Sequence, residues 1–168
     1  MTQKRLLIVC TGNICRSPMA AGLIQARLSA EYLANRVEIV SAGIHAQDGQ
    51  LPSTQAVDIL AMRGIAIGLH SATKLQSAHI DEADLILVME EDHRKYIFYQ
   101  SPQSLHKVIL LSELTDQDGD VADPFGNDYP EYERVLETIE SILDKGWQRL
   151  LQLLDITPIT RTNSLKSL

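Results

Sequence analysis

An unbroken apolar run, Leu6-Leu7-Ile8-Val9, leads straight into Cys10-Thr11-Gly12-Asn13-Ile14-Cys15-Arg16-Ser17-Pro18. That junction constrains the fold more than any other stretch. Consecutive β-prone apolar residues suit a strand covered on both faces, as in parallel sheets packed between helices. Gly12-Asn13 is a turn signal, and Pro18 sits where a helix begins, because its fixed φ fits the first turn and its missing N–H costs nothing there. The junction therefore predicts strand, tight loop, helix. Such a loop curls its backbone N–H groups around one centre, and the helix N-terminus adds partial positive charge at that point. A phosphate-like oxyanion fits this cradle.

The rest of the chain repeats the alternation. A helical pattern runs from Pro18 to about Tyr32, residues 37–40 read as a second strand ended by Ser41-Ala42-Gly43, and residues 52–62 read as a helix stopped by Gly64. Residues 83–89 and 108–111 read as two more strands, with a helix over 90–99 between them and a long helix over 132–154 after them. Strands alternating with helices predict an α/β fold of three layers around a parallel sheet. In such sheets the ligand lies beyond the carboxyl ends of the strands, which is where Cys10 falls. The 168 residues, 45% hydrophobic, suffice for one core. We expect one domain over residues 1–154 and a disordered tail over 155–168, rich in Thr, Ser, Lys and Arg and broken at Thr157-Pro158.

A formal charge of -7 argues against nucleic acid or an anionic membrane as partner, so any anion site must be a local positive focus. The N-terminal apolar stretch is too short for a signal or a membrane span. The only two cysteines, Cys10 and Cys15, both lie in the motif, so there is no disulfide framework and a reducing compartment fits. The expectation is a soluble, cytoplasmic protein, with a monomer favoured.

Within the cradle, Arg16 offers a planar fork for two oxygens and Cys10 a nucleophile, since a helix N-terminus and a guanidinium both favour the thiolate. Ser17 is placed to give its hydroxyl hydrogen to that sulfur. Asn13 tolerates the left-handed bend such a loop needs, and Gly12 allows close backbone approach. A lone cysteine ending a strand would be only a small buried hydrophobe; the surrounding residues tip the reading to catalysis. A nucleotide-binding loop is excluded because no second Gly and Lys follow Gly12 at the required offset, and zinc because two cysteines without a histidine cluster cannot complete four ligands. No metal and no cofactor are expected. Phosphoryl transfer to sulfur expels an alkoxide or phenoxide that needs a proton, and Asp123 of Asp123-Pro124-Phe125-Gly126 is the candidate acid. On the residues alone, that segment reads more simply as a turn capping the last helix. Asp116, Asp118 and Asp120 lack the glycine position and glutamate of a calcium loop and read as solvated charges. Cys15 either forms a reversible disulfide with Cys10 or packs as a small residue beneath the loop. His70 is a candidate brace for the loop. The run Glu90-Glu91-Asp92-His93-Arg94-Lys95 reads as an exposed helix start with acids first.

The Cys10-to-Pro18 segment, with Asp123-Pro124-Phe125 late in the chain, resembles the low-molecular-weight protein tyrosine phosphatase family. Ser41-Ala42-Gly43 and His70 also look like its pattern, and the likeness extends to about Leu154. The resemblance implies a four-stranded parallel sheet, Cys10 as nucleophile, Arg16 as binder of the phosphoryl oxygens, and Asp123 as general acid and later base. Thr11, Gly12, Asn13, Ile14, Cys15, Arg16 and Ser17 would line the phosphate site, with Asn13, Ser17, Ser41 and His70 supporting the loop. Its partners would be phosphorylated proteins, a tyrosine kinase among the candidates. Ile44-His45-Ala46-Gln47 and Phe125-Gly126 depart from members that clamp phosphotyrosine between aromatics, and look more like a bacterial branch that includes protein arginine phosphatases. That branch usually has threonine where this chain has Ile14, an apolar side chain suited to an aromatic ring. Phosphotyrosine in proteins is thus the expected substrate and phosphoarginine the alternative. A thioredoxin-coupled arsenate reductase would need further cysteines downstream, and a silent phosphoanion-binding module would not need Cys10, Arg16, Ser17 and Asp123 together.

Overall fold

A computed structural model describes residues 2–157. Four parallel strands form one sheet in the order β2-β1-β3-β4: β1 (Lys4–Cys10), β2 (Val37–Gly43), β3 (Leu85–Val88) and β4 (Val108–Leu110). Leu6 to Val9 are fully buried because helices cover both faces of β1. Leu6 and Ile8 join the core built with α1 (Arg16–Ala30), α2 (Thr54–Ala61) and α5 (Tyr129–Leu153). Leu7 and Val9 point the other way, into the core shared with α3 (Ser77–Glu82) and α4 (Glu91–Gln100) through Ile80 and Ile97. The strand period of two thus splits one sequence run between two layers, and the predicted α/β architecture holds.

The order of strands creates the site. From β1 the chain moves outward to β2, then returns to lay β3 on β1's other side, so the carboxyl ends of β1 and β3 flank a crevice where the connections diverge. Cys10 ends β1 and Glu90 follows β3, at that crevice.

Several boundaries differ from the sequence reading, each for a local reason. Helix α1 starts at Arg16, not Pro18, because Pro18 in the first turn still lacks only an N–H that would have no helical partner. It ends at Ala30, and Tyr32 turns the chain at φ 60. Helix α5 starts at Tyr129, with Asp128 as its N-cap and Pro130 in its first turn. Asp123 therefore does not cap it. Helix α3 was not foreseen; six residues with only Ile80 buried give no periodic signal. The expected tail begins too early: Asp155 reverses the chain at φ 56, and Ile156 is buried with its N–H on Leu151 O at 2.8 Å. The remainder of that expectation, residues 158–168, lies outside the described residues.

Candidate active site

Residues 10–16 wrap a loop between β1 and α1, and Asn13 is its keystone. Its φ of 57 is the left-handed conformation that asparagine tolerates. Every polar group of Asn13 is used. Its N–H donates to Cys10 Sγ at 3.2 Å, and its carbonyl accepts from His70 Nε2 at 2.8 Å. The Thr73 N–H reaches Oδ1 at 2.9 Å, which orients the amide so that Nδ2 donates to Ser17 Oγ at 2.8 Å and Ser41 Oγ at 3.0 Å. With that donor on its oxygen, Ser17 turns its own hydrogen to Cys10 Sγ, 2.9 Å away. The sulfur thus receives a backbone donor and a hydroxyl donor, the arrangement that steadies a thiolate. Asn13 and Ser17 are fully buried, so breaking this network would strand polar groups away from water.

The glycine that the loop requires is Gly43. A Cβ built there would stand 2.6 Å from Thr11 O and 2.8 Å from Asn13 N. At Gly12 the nearest neighbour, Ile14 Cγ1, would be an ordinary 3.5 Å away. Gly43 pairs with Cys10 across β1 and β2, and the following residues, Ile44 and His45, donate to Cys10 O and Thr11 O at 3.0 and 2.9 Å. The loop rests on the end of β2.

Arg16 is 1% exposed yet carries a charge. Its Nη1 donates to Val121 O at 2.7 Å and to Glu90 Oε1, and its Nη2 lies 3.4 Å from both Thr11 Oγ1 and Asp123 Oδ2. Glu90 was not foreseen as a partner; the run from Glu90 to Lys95 reads as solvated, whereas Glu90 turns in to Arg16 and His93 is buried. His93, the third residue of α4, folds back on the Glu90 cap, a capping-box arrangement that the Glu90-x-x-His93 spacing does not announce. Here Glu90 N–H donates to His93 Nδ1 at 3.1 Å. Burial first, then the positive Arg16, push His93 down to about 4.

Cys15 and Cys10 are both free. Cys15 lies under the loop, 3.4 Å from Ser53 Oγ and 3.2 Å from Tyr132 OH. Burial raises the Cys15 thiol, and burial with the Cys15 contact raises Tyr132 to about 12, so both keep their protons. Ser53 ties the same loop down by donating its N–H to Ile14 O at 2.9 Å. Neither Ser53 nor Tyr132 carries a motif; only the fold brings them here.

Above the loop opens a cavity of about 260 Å³ lined by Cys10, Thr11, Gly12, Ile14, Arg16 and Asp123, with Phe125 and His45 at its mouth. Asp123 accepts the Phe125 N–H on Oδ1 at 3.1 Å and holds its other oxygen near Arg16. The structure thus gathers the predicted nucleophile, arginine and acid around one space, with Ser41 and His70 behind the loop. Helix α1 has no acidic residue in its first turn and no side-chain cap at Cys15, so its N-terminal dipole faces the cavity uncompensated.

A family model described as low molecular weight phosphotyrosine protein phosphatase matches residues 5–154. A probable low molecular weight protein-tyrosine-phosphatase, EpsP, from Ralstonia nicotianae is 36% identical over 147 residues, 88% of this chain and 96% of its own. A protein-arginine-phosphatase from Geobacillus stearothermophilus is 35% identical over 147 residues, 87% of this chain and 95% of its own. The crystal structure of a low molecular weight protein tyrosine phosphatase from T. tengcongensis matches with a TM-score of 0.81 at 36% identity, covering 88% of this chain and 99% of that one.

Proposed function

The chain belongs to the low molecular weight phosphotyrosine protein phosphatase family, and from that premise we propose that it hydrolyses phosphotyrosine in proteins through a phosphocysteine at Cys10. The Cys10 thiolate attacks phosphorus in line; the phosphorus–oxygen bond to the phenol breaks, and Asp123 gives its proton to the departing oxygen. A water then attacks the phosphocysteine, its proton passes to the Asp123 carboxylate, and the sulfur leaves as thiolate. Ser17 O–H and Asn13 N–H receive the returning charge, which makes sulfur a competent leaving group. Arg16 and the loop's N–H groups grip the oxygens on which charge gathers in the transition state. Asp123 must leave Arg16 to do this, and its exposed position at the cavity mouth permits that swing.

The observation that carries the substrate assignment is the wall beside Cys10: Ile14 offers only carbon, and the exposed ring of Phe125 stands at the mouth. An aromatic ring gains from both surfaces, while a guanidino group would have to find its acceptors among His45, Gln47, Gln50 and Asp123 on the rest of the lining. The protein-arginine-phosphatase relative keeps phosphoarginine as the competing substrate. Measuring kcat/KM on matched phosphotyrosine and phosphoarginine peptides, each beside Cys10→Ser, decides between them. Preference for phosphotyrosine that vanishes in the variant supports the proposal; preference for phosphoarginine overturns the substrate, and Cys10-independent turnover overturns the mechanism.

A further inference from the structure

We propose that the start of α4 forms a second arm of the phosphate cradle, in which His93 and Glu90 hold Thr11 and Arg16 so that the Thr11 hydroxyl donates to the bound phosphoryl group. The inference rests on the phosphatase reading and adds a donor role for the Thr11 side chain and a positioning residue, His93.

The geometry fixes the direction of each hydrogen bond. A backbone N–H can only donate, so Glu90 N–H at 3.1 Å makes His93 Nδ1 the acceptor and leaves the ring proton on Nε2. That Nε2–H points at Thr11 Oγ1, 2.9 Å away. Arg16 Nη2, which also can only donate, approaches the same oxygen at 3.4 Å. A threonine hydroxyl has two acceptor lone pairs and one hydrogen, and both lone pairs now face donors. The hydrogen is the part left over. Thr11 lines the cavity with Cys10 and Arg16, and that hydrogen is free to turn toward a phosphoryl oxygen bound there.

Glu90 completes the arm from the same turn by engaging Arg16 Nη1, while Nη2 faces Thr11 and Asp123, both in the cavity lining. One helix start therefore sets both the first loop residue after the nucleophile and the loop's arginine. The neutral state of His93 is essential to the arrangement, because a protonated Nδ1 would oppose Glu90 N–H. Burial and Arg16 keep it neutral at ordinary pH, against the opposing pull of Glu90, Asp120 and Asp123.

The test uses the full chain with Thr11→Val, Thr11→Ser, His93→Gln, His93→Leu and the Thr11→Val/His93→Leu pair. Two readouts are taken: inorganic phosphate binding by calorimetry, and kcat/KM on an aryl phosphate. Losing a hydrogen bond to a charged group should weaken phosphate binding in Thr11→Val by about ten- to a hundredfold, with kcat/KM falling alongside. Thr11→Ser should recover most of what Thr11→Val loses, His93→Gln should recover part of the loss seen in His93→Leu, and the pair should be no worse than its worse single variant. Phosphate binding in Thr11→Val equal to the parent overturns the proposal, even if the His93 variants fail to fold. So does a paired loss equal to the product of the single losses. A parent that binds phosphate but hydrolyses no aryl phosphate would instead overturn the phosphatase reading, and the binding arm would still judge this one.

Discussion

The loop that carries Cys10 and the loop that carries Asp123 face each other across one cavity, and they are held in opposite ways. Around Cys10, backbone and side chains of Asn13, Ser17, Ser41, His70 and Thr73 bond one another in a buried network, and Ser53 and Tyr132 close it from below. Around Asp123 the anchors are scattered rather than joined in one network: Val121 on Met89 O and Arg16, Asp120 under the Glu91 N–H, Ser112 on Gly119 O, Asp123 on Arg16, Gln55 on Asn127 O, the buried Pro124, and local turns at Asp123 and Asn127. Gly119 and Gly126 take positive φ with open space around them. The difference follows from what each half must do. A cradle that binds a phosphoryl group gains most when its donors are fixed beforehand, whereas an acid that serves first a leaving phenol and then a water must change partners.

Substitutions can break this contrast. Asn13→Ala should be the most damaging, lowering kcat/KM at least about a thousandfold and costing about 3 kcal/mol of stability, because it strands several buried partners at once. Urea unfolding and steady-state kinetics measure both. Asp123→Asn should slow phosphoenzyme formation about a hundredfold for poor leaving groups while sparing good ones, and should leave stability within about 0.5 kcal/mol. Equal loss for all leaving groups would remove Asp123 from the acid's role, and a large stability loss would erase the contrast between the loops.

Smaller effects sharpen it. Gly43→Ala should cost about 1–3 kcal/mol by urea unfolding and reduce phosphate binding, since a methyl group there must push Thr11 and Asn13 apart. The mildest test is pH. His93 titrates near 4 in the fold against its ordinary 6.5, so between those values the unfolded chain holds the extra proton and stability falls as pH falls. The drop from pH 6.5 to about 5 should be about 1–2 kcal/mol, and His93→Gln should lose it. A wild-type curve no steeper than the variant's would mean that His93 is not held neutral as described.

What could be read from the sequence was what is local to one strand, one loop and one helix. Cys10, Asn13, Arg16 and Ser17 sit within a single supersecondary unit, so spacing alone brings them together. Glu90 and His93 reach the loop only because β3 returns beside β1, Tyr132 because α5 packs beside Cys15, and Ser53 and Thr73 because the chain after β2 folds back onto the loop; such tertiary placement leaves no mark on local pattern. His93 was the most concealed of these, since a charged hexapeptide reads as solvated until the fold shows which turn faces inward. Gly43 was visible as the end of a strand, but its need to be glycine depends on a loop 30 residues earlier.

The central claim is a covalent phosphocysteine at Cys10, and trapping it is the most direct measurement. Enzyme carrying Asp123→Asn is mixed with a radiolabelled phosphotyrosine peptide, quenched in denaturant within milliseconds to seconds, and mapped by peptide digestion. The account predicts label on the Cys10 peptide that decays as phosphate appears, and none in Cys10→Ala. Phosphate released at the parent's rate with no labelled enzyme, or undiminished in Cys10→Ala, would contradict it.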